Sequence, residues 1–170
     1  MFACAQAQAA EGVDITHAHI EATEEGYRLA ANYAFDLNNG IEDAIQHGVR
    51  MYFTTEVELT RPRWYWYDDK AVSTRQTIRL YYDVLTRLYH VSVVGGMQQS
   101  FPTLDDAMVL IRRTRWLIAP KGALKKGETY NVTLRMFMDR EQLPNPMLNA
   151  LNSSQWRLTS RNKSFPYTAE

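Results

Sequence analysis

The chain has 170 residues, 45% hydrophobic and 22% charged, which fits one folded domain and excludes a disordered segment. Its 19 basic and 19 acidic residues cancel, so no global field favours nucleic acid or anionic lipid. One cysteine, Cys4, excludes an intrachain disulfide and a cysteine-rich metal site, and no run approaches the roughly 18 apolar residues of a membrane helix.

The first ten residues, MFACAQAQAA, contain Ala5-Gln6-Ala7 and Ala7-Gln8-Ala9, small-x-small patterns of a signal-peptidase site. We expect residues 1–10 to be a signal-peptide remnant or disordered, and the protein to be periplasmic or otherwise exported. Val13 to Ala22 is expected as a first strand, and Glu24-Glu25-Gly26 as a turn. Tyr27 to Leu37 alternates apolar Tyr27, Leu29, Ala31, Tyr33, Phe35 and Leu37 with polar Arg28, Asn32 and Asp36, the pattern of a half-buried antiparallel strand. Ile41, Ala44 and Ile45 predict a short helix, with Asn39 as its cap and Gly48 as its stop.

Val49 to Val94 reads as a series of antiparallel strands. Val49, Met51, Phe53, Val57 and Leu59 share one face; Val72, Ile78, Leu80, Tyr82 and Val84 share another. Arg61-Pro62 marks a bulge, bend or edge, because proline cannot donate to a ladder. Asp68-Asp69-Lys70 is expected as a hairpin turn, Thr86-Arg87 as a tight turn and Gly95-Gly96 as the end of the series. A short strand at Gln98 to Phe101 follows. Thr103 and Asp106 then cap a second helix, whose stripe is Leu104, Ala107, Met108, Leu110 and Ile111. That helix is expected to end on Arg112, Arg113 and Arg115, ahead of a basic loop with Lys121, Lys125 and Lys126. Tyr130 to Asp139 is a strong strand, Gln155 to Ser160 a final one, and residues 161–170 a flexible tail.

Seven or eight strands, two short helices and no β-α-β alternation predict a mainly β fold. The expected architecture is an immunoglobulin-like antiparallel sandwich over residues 11–160, or a partly open barrel.

Three constellations bear on function. His17 and His19 would share a strand face, as a metal site needs, yet no third ligand is fixed, and two solvent-facing histidines explain the pair; we assign no metal. Trp64-Tyr65-Trp66-Tyr67 would place its tryptophans on one side of a strand and its tyrosines on the other. Together with Arg61, Arg63, Arg75 and Arg79 it makes a candidate aromatic-cationic binding face. The paired carboxylates Asp68-Asp69 and Asp105-Asp106 fall in turn and cap positions, where backbone bonding explains them. No nucleophile elbow, metalloprotease, phosphate-loop or cofactor motif is present. We therefore expect no enzyme and no cofactor. Two readings remain: a module that binds an envelope or membrane protein, or a sandwich or barrel that holds a small ligand or glycan among Tyr and Trp side chains.

Trp116-Leu117, Gly127-Glu128-Thr129-Tyr130, Leu134-Arg135-Met136, Asp139 and Leu143-Pro144, with the Asn38-Asn39-Gly40 helix start and the Trp/Tyr run, resemble a proteobacterial domain-of-unknown-function family, number 4390. The resemblance spans Val13 to Trp156. It implies an exported envelope protein, often encoded beside a nitrogen-regulation-type sensor kinase and response regulator, to which the protein would be accessory. It supplies no catalytic residues.

Overall fold

Period-two runs of apolar residues build two antiparallel sheets in the computed structural model, which describes residues 12–61, 69–143 and 157–170. The strands are β1 (Asp14–Ala22), β2 (Gly26–Ala34), β3 (Met51–Arg61), β4 (Asp69–Asp83), β5 (Leu88–Val93), β6 (Gln98–Phe101), β7 (Arg113–Pro120), β8 (Thr129–Met138) and β9 (Lys163–Thr168). Helix α1 (Asn39–Gln46) links β2 to β3, and α2 (Leu104–Arg112) links β6 to β7. One sheet has the order β1-β2-β7 and the other β6-β5-β4-β3-β8-β9.

Variable-type immunoglobulin sandwiches order their sheets G-F-C-C′-C″ and A-B-E-D. Here β9-β8-β3-β4-β5 follows the first order, with β6 added, and β1-β2-β7 follows A-B-E. No described strand takes the D position. Tyr130 supplies a second mark of the fold. It stands at the start of β8, and its hydroxyl accepts the Lys125 backbone N–H at 2.9 Å, the bond of a tyrosine corner. Two residues on, where antibody domains carry a bridging cysteine, is the fully buried Val132. Apolar packing takes the place of the disulfide.

Between the sheets lie Leu29, Met51, Val57, Leu59, Leu80, Val132 and Leu134, each with no exposed surface. The Tyr33 hydroxyl crosses this core to Thr55 Oγ1 at 2.7 Å and meets Thr114 Oγ1 at 3.2 Å. Burial pushes the Tyr33 phenol up from its ordinary pKa, since the ionised form loses its water. Helix α1 buries Ile41, Ala44 and Ile45, the stripe that its spacing predicts. In α2, Ala107, Met108 and Ile111 are buried.

Several expectations need correction. Nine strands are present among the described residues, where about seven or eight are expected. The cap of α1 is Asn38, whose side chain accepts from the Ile41 N–H at 2.9 Å, and not Asn39. Asp69 and Lys70 are not a turn: β4 starts there, pairing Asp69 with Arg61 and Lys70 with Thr60 across a bulge. Val84 lies beyond β4 and is exposed; Asp83 accepts the Leu85 N–H at 2.9 Å and turns the chain early. Arg112 closes α2 and Arg113 is its C-cap, as expected, but Arg113 also opens β7, and Arg115 lies within that strand rather than at the helix end. The expected strand at 155–160 is replaced within its described part by isolated bridges at Thr159. The expected flexible tail instead holds β9, where Phe165 and Tyr167 pack on the core beside Val132 and Tyr130. Pro166 is tolerated there because β9 is an edge strand. Residues 1–10 lie outside the described residues.

Candidate functional site

Strands that alternate have two faces, and the outward face of the six-stranded sheet is where chemistry accumulates. On β3 it carries Tyr52, Thr54, Glu56 and Glu58; on β4 Ser73, Arg75, Thr77, Arg79 and Tyr81; on β8 Thr133, Arg135 and Phe137. Register sorts them into rows. Glu56 stands between Arg75 and Arg135, and Glu58 between Ser73 and Thr133.

Arg135 Nη2 donates to Glu56 Oε2 at 3.2 Å, and its guanidinium lies 4.6 Å from the centre of the Phe137 ring. Lys70 Nζ donates to Glu58 Oε1 at 3.0 Å. Arg75 has no ion pair among the described residues. Glu56, Glu58, Ser73, Arg75, Thr133 and Arg135, with Asn162 beyond the sheet edge, line an open groove of about 700 Å³. Its described walls offer alternating guanidinium, carboxylate and hydroxyl groups, suited to polar groups of a ligand or of another surface.

Further along the same face the chemistry becomes aromatic. The guanidinium carbons of Arg50 and Arg79 lie 5.2 and 5.4 Å from the centre of the Tyr81 ring, within cation–π range. His90 is buried, with its ring 5.0 Å from that of Tyr81. Its Nδ1 lies 2.8 Å from Ser100 Oγ and 3.0 Å from Gln98 Nε2. Its Nε2 lies 3.8 Å from Asp83 Oδ2. The backbone N–H of Leu85 chiefly holds the Asp83 carboxyl below the usual carboxylate range. Arg79 Nε is buried without a hydrogen-bond partner among the described residues.

The structure thus puts Arg75 and Arg79 on one face. Arg61 ends β3, opposite Asp69. Arg63, Trp64, Tyr65, Trp66 and Tyr67 lie outside the described residues. Sequence reasoning missed Glu56, Glu58 and Arg50 and considered His90 only as a metal ligand. It set Arg135 opposite the face of Tyr130, Val132 and Leu134, free to pair with Asp139 or a neighbouring strand, and the partner is Glu56 of the neighbouring β3. The second phase of the alternation in β3 and β8 was readable, but the pairing that sets Glu56 between two arginines is a long-range property.

His17 and His19 do share a face, at the edge of the smaller sheet. His17 Nε2 and His19 Nδ1 are 2.8 Å apart, and His19 Nε2 lies 2.7 Å from Glu21 Oε1. That bond, helped by Arg115 and Arg28, draws the Glu21 carboxyl below its usual range. His47 bonds the Asp43 carbonyl and His90 sits in the other sheet, so neither supplies a third ligand. Among the described residues no group of three His, Cys, Asp or Glu could hold a metal.

No curated protein and no solved structure matches the chain. A family model, described as a domain of unknown function (DUF4390), matches residues 10–166. That span takes in every described strand except the last two residues of β9, and the protein belongs to the DUF4390 family.

Proposed function

We propose that the protein is an exported, non-enzymatic interaction module that engages an envelope or membrane protein through the outward face of its six-stranded sheet. A sensor kinase is one such partner, on the family resemblance. The observation that carries this reading is the Arg75–Glu56–Arg135 row. It lines a groove of about 700 Å³, with Arg75 unpaired among the described residues, and continues into the Arg50–Tyr81–Arg79 stack. Arginine and aromatic groups at the centre of a face are what binding hot spots favour. The small-x-small pattern of residues 5–9 supports export, and no described helix is long and apolar enough to cross a membrane.

A photo-cross-linking residue at Ser73, inside the groove, tests this in envelope-containing cells. One discrete adduct, lost in Arg75→Glu/Arg135→Glu, is the expected result. An adduct unchanged by those substitutions, or none, would reject the face. A second reading, a small polar or glycan ligand, draws support from the groove volume, which exceeds the roughly 300 Å³ of small-molecule sites. A ligand between Tyr and Trp side chains in the core has no such support, because the groove that carries this reading opens on the outward face. Sugar titration followed by NMR, with shifts confined to Ser73, Arg75 and Thr133, would favour the ligand over the protein partner.

A further inference from the structure

Strand β7 borders only β2; among the described residues nothing pairs with its other edge. The six-stranded sheet extends past that edge. Its core-side face there carries Ile78 and Val91, then Val93, 39% exposed, and Met97, just before β6, is 90% exposed. With Leu110 of α2 and the Arg113–Arg115 segment of β7 they line a groove of about 120 Å³. This is the space that a D strand would fill.

We infer that β7 accepts an added strand from a partner whose extended segment alternates apolar and acidic residues. The inference concerns a surface distinct from the groove around Arg75 and goes beyond that reading. An open edge presents unpaired backbone N–H and C=O groups, the basis of strand addition. One set of side chains on an added strand would turn inward, over Val93, Met97 and Leu110, and cover apolar surface now in water. The other set would stand beside Arg113 and Arg115, which are exposed on the outer face, at about 4.5–5.5 Å between Cβ atoms. Acidic residues fit there. Glu21, a carboxylate on the same sheet that Arg115 acts on, is already bonded to His19.

The same arginines select against a second copy of this chain. Two-fold antiparallel pairing centred on Arg115 would set that residue against its own image, and like charges directly opposite destabilise a sheet.

The test uses the full chain and two synthetic octapeptides, alternating valine–aspartate and alternating valine–lysine. Residue-resolved hydrogen exchange is followed with titration. The aspartate peptide is expected to slow exchange of β7 amides directed away from β2, and to bind at least about tenfold more tightly than the lysine peptide. Arg113→Glu/Arg115→Glu should invert that preference, Met97→Asp should abolish binding of the aspartate peptide, and Arg75→Glu/Arg135→Glu should change neither. Equal binding of the two peptides, absence of protection at β7, or β7 protection through dimerisation without peptide would overturn the inference.

Discussion

The two sheets are unequal, and the inequality organises the molecule. In the larger sheet β3 lies between β4 and β8, so its inward residues Met51, Val57 and Leu59 are fully covered. The smaller sheet has three strands against six. It reaches the larger one through Tyr27 with Tyr167, whose ring centres are 6.3 Å apart, and Tyr33 with Thr55. Helix α2 packs on β5 and β6 but leaves Val93 and Met97 open. Among the described residues, an apolar shelf beside an unpaired strand edge follows from strand count rather than from any unusual residue.

Substitutions on either side of that divide should differ sharply. Leu134→Ala, beneath the covered half, is expected to cost about 2–5 kcal/mol in urea unfolding through transfer and cavity terms. A cost below about 1 kcal/mol would mean that the two sheets do not meet there. Tyr130→Phe removes the acceptor of the Lys125 N–H and should cost about 1–3 kcal/mol by the same measurement. Glu56→Gln breaks a half-exposed cross-strand pair and should cost only about 0.2–1 kcal/mol. Met97→Ser, on the shelf, should shift stability by less than about 0.5 kcal/mol; a large loss would show that the shelf is covered.

Two pH effects sharpen the comparison. Tyr33 has its pKa raised by burial in the fold, so it contributes stability below pH about 10, where the unfolded phenol titrates. That contribution is lost as pH rises further, and alkaline unfolding should be steeper in wild type than in Tyr33→Phe. Glu21 and Asp83 have lowered values. They contribute above the usual carboxylate range and lose that contribution as pH falls through it. Asp83→Asn and Glu21→Gln should each flatten the acid limb of stability against pH, and an unchanged limb would show that neither bond holds in solution.

Alternation in β2, β3, β4 and β8 made the mainly β class and most of the core legible. The bulge between Ile15 and His17 explains why the first strand alternates poorly. β9 was read as a tail because Pro166 and the polar Lys163, Ser164 and Thr168 hide a two-residue apolar face, Phe165 and Tyr167, that only the edge of β8 reveals. The turn at Asp68–Lys70 was misplaced for the reverse reason: Asp and Lys look like turn residues locally, while pairing with β3 extends the strand through Asp69. The candidate face was half legible. Arg75 and Arg79 could be placed on one side of a strand, but Arg135 joins them only through its pairing with Glu56, 79 residues away in sequence, which local pattern does not encode.

Hydrogen exchange in the free protein tests the unequal sandwich most directly. The amides of Thr55, Val57 and Leu59 in β3 should exchange only with global unfolding, whereas β7 amides turned away from β2 should exchange orders of magnitude faster. If those β7 amides are as slow as β3 in a monomer, the edge is already covered and the account of an open shelf is wrong.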